Sequence, residues 1–128
     1  MKAIILSHPY LKLVLVAMGM ITFDVITGII AAFSTGTFQS SQMRKGGWHK
    51  LTLVIAVVFG SFLNFVVGLV DLGITIPIGE GICIYIILME ICSNIENINK
   101  ACPGVIPESI VNMFHTSKDE AEKITQKE

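Results

Sequence analysis

Residues 51–70, LTLVIAVVFGSFLNFVVGLV, carry no charged side chain. At roughly 1.5 Å per residue this stretch makes a rod of about 30 Å, the thickness of a bilayer's hydrocarbon core. Lipid offers no partner to a bare peptide group, so a span of this kind must be a helix that bonds its own backbone. The composition points the same way. Of 128 residues 52% are hydrophobic and 15% charged, and the mean hydropathy is +0.71, greasier than an ordinary soluble domain. The apolar residues are also sorted into long runs, which a small globular core does not require.

Two further runs flank the first. Residues 11–33 are long enough to cross, at about 34 Å of helix. The apolar run within them, Leu13 to Ile30, is too long for the h-region of a signal peptide, so a retained span is expected. Residues 76–95 form the weakest run, because Glu80 and Glu90 interrupt it. Spanning is the preferred reading there, and lying in the interface is the alternative. The stretch 34–50, STGTFQSSQMRKGGWHK, reads as a polar loop with a basic end, and Asp71, Gly73 and Pro77 mark a turn. KACPGVIP stops any helix, and Pro107 opens a short one with Ile110, Val111 and Phe114 on one side. SKDEAEKITQKE reads as a solvated or frayed tail. The expected architecture is an all-α membrane protein with three transmembrane helices, about 11–33, 51–70 and 76–95. They lie in a domain of residues 1–100, followed by a short polar cytoplasmic tail at 101–128.

Three spans place Arg44, Lys45, Lys50, Lys100, Lys118, Lys123 and Lys127 on one side, against Lys2 and Lys12 on the other. The positive-inside rule then puts the N-terminus out, with the basic loop (Arg44, Lys45, Lys50) and the C-terminus in.

Several function classes drop out. A net charge of −1 without a basic, aromatic-rich stripe gives no footprint for nucleic acid. Cys83, Cys92 and Cys102 lack metal-ligand spacing, so no metal or other cofactor is expected. His8, His49 and His115 fall in separate polar stretches, and no nucleophile elbow, phosphate loop or HExxH motif is present. Enzyme activity is not expected. Trp48, beside His49 and Lys50, reads as an interfacial anchor. No internal repeat points to an inverted-repeat transporter.

What remains is a set of polar and small residues inside the spans. At helical spacing Ala17, Ile21, Asp24, Gly28 and Ala31/Ala32 form one stripe of the first helix. Gly60, Asn64, Gly68 and Asp71 align in the second, and Cys83, Ile87, Glu90, Asn94 and Asn97 in the third. Small residues let helix backbones approach, so the glycines read as packing positions. Acids within a membrane are functional by default, so Asp24 and Glu90 read as functional. Asp71 and Glu80, near helix ends, read as ordinary interfacial charges. The candidates for pore lining and assembly are Asp24, Gly28, Ala32, Gly60, Asn64, Gly68, Glu90 and Asn94.

Taken in order, DVITGIIAAF, SSQMRKGGWHK, MEICSNIENI and GVIPESI resemble the bacteriophage holin family, which also includes toxin-secretion holins. The matching positions are Asp24, Thr27, Gly28, Ser40, Ser41, Gly46, Lys50, Glu90, Ser93, Glu96 and Asn97. The resemblance implies a small protein of the bacterial cytoplasmic membrane that assembles into homo-oligomers. It further implies timed lesions that release an endolysin or a toxin, with the lipid bilayer as its medium. Two other readings stay open: a small ion- or proton-coupled channel or carrier, and a non-conducting scaffold subunit.

Overall fold

The computed structural model describes residues 8–70, 73 and 76–114. The polar tail beyond residue 114, and Asp71, lie outside the described residues.

Three long helices account for most of the described chain: α1 (Pro9–Ser34), α2 (Ser40–Leu69) and α3 (Ile78–Ala101). All three are long and apolar enough to cross a membrane. Pro9 opens α1, where a missing N–H is harmless. The helix closes in a Schellman arrangement: Thr37 N–H reaches the Ala32 carbonyl at 3.0 Å and Gly36 N–H the Phe33 carbonyl at 3.3 Å. That closure needs a left-handed residue after the cap, and Gly36, at φ 67°, supplies it.

Much of the expected loop at 34–50 is helical instead. Only residues 35–39 connect α1 to α2, which begins at Ser40 and runs for 30 residues, about 45 Å. Gln42, Met43, Arg44 and Lys45 are good helix formers, which offsets the roughly 1 kcal/mol that Gly46 and Gly47 each cost. The far end of α2 is anchored in the bundle, so the propagating helix has only to continue backwards out of the span.

Helix α3 also outruns the expected boundary at residue 95. Glu80 in its first turn and Lys100 in its last both suit the helix dipole. It ends at Ala101 because Cys102 precedes Pro103, and a residue before proline is driven out of the α region; Cys102 is extended (φ −145°, ψ 90°). A short helix follows at 108–114, starting just past Pro107 as the sequence suggests, with Val111 buried.

Short connections make α2 antiparallel to α1 and α3, which run side by side. The α1–α3 contact is the most extensive, α2 packs less on α3, and α1 touches α2 least. The apolar centre is Ala17 and Ile21 of α1, Val57 of α2, and Cys83 and Ile86 of α3.

Burial is inverted relative to a water-soluble protein. Phe23, Phe33 and Phe65 are each more than 60% exposed, whereas Asp24, Glu90 and Asn94 are 6%, 2% and 8% exposed. Water would favour the opposite arrangement, and a hydrocarbon solvent favours this one.

Candidate functional site

Asp24, at mid-length of α1, has no cation near it in sequence. Its partner comes from α2: the Lys50 ammonium lies 2.6 Å from Asp24 Oδ2. The same ammonium donates to both oxygens of Glu90 on α3, at 2.7 and 2.6 Å. One cation therefore joins two acids from two other helices, with side chains 15%, 8% and 2% exposed for Lys50, Asp24 and Glu90.

Asparagines and a threonine complete this polar tier. Asn97 Nδ2 donates to Asp24 Oδ1 at 3.0 Å and to Thr27 Oγ1 at 3.3 Å. Thr27 Oγ1 donates to Asn94 Oδ1 at 3.1 Å, and Asn94 Nδ2 to the Glu90 carbonyl at 2.7 Å. Among the described residues no buried side-chain nitrogen or oxygen is left without a partner. In lipid an unmade bond has no water to replace it, so this completeness is what permits the tier to sit inside a span.

A second polar tier lies toward the other end of the bundle, below the apolar centre. The Tyr10 and Ser61 hydroxyls are 2.7 Å apart. Ser61 donates to the Val57 carbonyl at 2.9 Å, so the shared bond is donated by Tyr10. Asn64 Oδ1 accepts the Gly79 N–H at 2.9 Å, while its Nδ2 donates to Glu80 Oε2 at 2.9 Å. Pro77, at the N-cap of α3, has no side-chain oxygen to offer, so Asn64 of a neighbouring helix satisfies an orphan N–H of the first turn.

Two hollows flank Lys50. One, of about 310 Å³ between α2 and α3, is lined by His49, Tyr85 and Met89 with the charged trio at its back. The other, of about 320 Å³ between α1 and α2, is lined by Gly28, Ala32, Gly46 and Gly47 beside Asp24 and Lys50. Among the described residues no group of three or more His, Cys, Asp or Glu is placed to hold a metal ion.

The sequence pattern of the bacteriophage holin family matches residues 5–119 of this chain. The chain belongs to the bacteriophage holin family. It is a holin-like membrane protein. No curated protein and no solved structure matches it.

In this holin-family chain the candidates named from sequence divide between the tiers. Asp24, Glu90 and Asn94 come together, and Gly28 lies beside them, where an added Cβ would stand 3.5 Å from Asn97 Nδ2. Ala32 lines the α1–α2 hollow. Gly60 and Asn64 belong to the other tier. Gly60 makes a true close approach, its Cβ position lying 3.2 Å from Gly79 Cα. Gly68 is exposed and meets nothing within 4 Å. Arg44 and Lys45 are exposed on the first turns of α2.

Lys50 is the principal correction. It is not a loop charge but the centre of the buried tier, and it leaves the tally of charges that flank the spans. Glu80, in the first turn of α3 near the helix end, accepts a hydrogen bond from Asn64. A usable signal was present. Carried back along α2 at helical spacing, the buried Gly60 and Val57 and the partly buried Leu53 lead to Lys50, so a helix through the basic stretch puts that lysine on the inner face. Gly79, Tyr10 and Ser61 carried no comparable signal, because the contacts that join them to the tier are made across helices.

Proposed function

We propose that this chain is a holin: it oligomerises in the bacterial cytoplasmic membrane and opens lesions through which an endolysin or a toxin leaves the cell. Family membership supports this, and one structural observation carries it. Every helix contributes a charge to one buried tier, Asp24, Lys50 and Glu90, inside a bundle whose outer surface is apolar. Such a monomer is stable in lipid with its polar groups paired internally. The same groups can face water once several copies surround a lumen.

Lipid supplies no hydrophobic drive between helices, so assembly rests on packing and on exchange of polar partners between copies. The proposed orientation is N-terminus out and C-terminus in, with Arg44 and Lys45 on the cytoplasmic side.

Inducible expression in a bacterial host, with release of a co-expressed cytoplasmic enzyme as the readout, tests the function. Abrupt release after a lag is expected; steady growth with an intact membrane would refute it. An ammonium held between two intramembrane carboxylates also favours a second reading, a proton- or ion-coupled channel. That reading requires intact cells with pH-dependent flux that Asp24→Asn abolishes. Neither release nor flux would leave the scaffold role.

A further inference from the structure

The attachment of α2 to the other two helices is uneven. Helices α1 and α3 pack extensively, and they are cross-linked without help from α2 by Asn97–Asp24, Asn97–Thr27 and Thr27–Asn94. Helix α2 makes polar contacts at two levels, with Leu53, Val54 and Val57 packed on the apolar centre between them. Toward the C-terminal end of α2, Gly60 lies against Gly79 and Asn64 bonds Gly79 and Glu80. Fourteen residues back along the helix, about 21 Å away, Lys50 bonds Asp24 and Glu90. Beside Lys50, on the α1 side, lies the 320 Å³ hollow rather than packed side chains. Interiors are normally close-packed, so beyond Leu53 and Val54, which pack on the apolar centre, the lysine's ion pairs are what hold the first turns of α2 against α1.

We infer that Lys50 is an autoinhibitory latch. Its ammonium holds the first half of α2 closed over the acids of α1 and α3, and opening swings that half outward. The Gly60–Gly79 contact is the pivot, and the five-residue connection at 35–39, with Gly36 at φ 67°, takes up the movement at the other end. The swing uncovers Asp24 and Glu90 together, turning an internally balanced tier into a charged surface that requires water or a second copy. The charged and titratable groups facing the latch are Asp24 from α1, Glu90 from α3, and His49 beside it on α2. The inference rests on the holin reading and assigns its regulation to one residue.

The test compares enzyme release from cells expressing wild type, Lys50→Met, Lys50→Arg and the neutral triple D24N/K50M/E90Q at matched membrane levels. Lys50→Met is expected to give about tenfold more released enzyme at an early fixed time, because it removes the bias toward the closed state. Lys50→Arg keeps both ion pairs and should keep the wild-type lag. If Lys50→Met fails to reach the membrane, the triple decides, since it lacks the latch but buries no unpaired charge; early release is expected there too. A second arm bridges α1 to α2 across the hollow with Gly28→Cys/Gly47→Cys and a reducible dithiol cross-linker, with each single cysteine as control. The bridge should block release until it is reduced. Wild-type timing in Lys50→Met or the triple, or timely release from the bridged protein, overturns the latch. No release from wild type defeats the holin reading instead.

Discussion

Replacing Gly79 with alanine probes the closest approach in the bundle. The new Cβ would lie 2.6 Å from Asn64 Nδ2, 2.7 Å from the Tyr10 hydroxyl and 2.8 Å from the Gly60 carbonyl oxygen. Side chains can rotate away from such a clash, but the carbonyl belongs to the backbone of α2 and cannot. Movement of Asn64 or Tyr10 also breaks the bonds that cap α3 and tie α1 to α2. Overpacking of this kind costs about 1–3 kcal/mol. One or two hydrogen bonds within a membrane protein add about 0.6 kcal/mol each. The expected loss is therefore about 2–4 kcal/mol, taking these contributions together. Gly81, two residues on and with nothing within 4 Å of its Cβ position, is the control. Gly81→Ala should be neutral or stabilising by up to about 1 kcal/mol, the ordinary helix preference for alanine. Reversible unfolding in mixed micelles, followed by helical circular dichroism, measures both variants. A Gly79→Ala protein as stable as wild type would refute the close approach and, with it, the pivot of α2.

Other expectations rest on single contacts. Tyr10→Phe removes only the hydroxyl bonded to Ser61 and should cost about 1 kcal/mol or less in the same unfolding assay. Thr27→Val deletes the donor to Asn94 and the acceptor for Asn97, so about 1 kcal/mol of the α1–α3 pairing should be lost. Cys102 is exposed just past α3 while Cys83 is buried, so the natural thiols report topology. A membrane-impermeant maleimide should label Cys102 in inverted vesicles and not in intact cells; the reverse pattern would overturn the proposed orientation.

The spans were legible in the sequence because hydropathy is a property of one segment at a time, and lipid leaves helices as the only use for such segments. The inward stripe of α1 was legible for the same local reason: Ala17, Ile21, Asp24 and Ala31 recur at helical spacing and are buried. The start of α2 was not, because Gly46-Gly47 and a run of polar residues look like a loop when the anchoring contacts are unseen. Lys50 was misread along with it. A lysine at the edge of an apolar run is usually a flanking charge, and only the acids of two other helices make it an interior one. Asn64 was placed on the right face of α2, but its role as a cap for α3 depends on Pro77 leaving that helix end unsatisfied, which no single segment reveals.

The unequal numbers of charges in the buried tier give a last prediction. Two carboxylates share one ammonium, so the three positions are not equivalent. Neutralising Asp24 as Asp24→Asn leaves Lys50 paired with Glu90 through both of its oxygens, and Asn97 keeps an acceptor at position 24. Neutralising Glu90 as Glu90→Gln leaves the Lys50–Asp24 pair at 2.6 Å. Each of these changes should alter bundle stability by no more than about 1 kcal/mol, since the remaining pair stays hydrogen-bonded. Lys50→Met instead leaves two buried acids facing each other without a cation, and breaking a buried pair in this way costs about 3–5 kcal/mol. Adding Asp24→Asn and Glu90→Gln to Lys50→Met should recover most of that loss, because the penalty lies in the unpaired charges rather than in the missing lysine. Unfolding in micelles distinguishes the cases directly. Equal costs at all three positions would mean that Lys50 is not shared, and that the tier is two independent contacts rather than one.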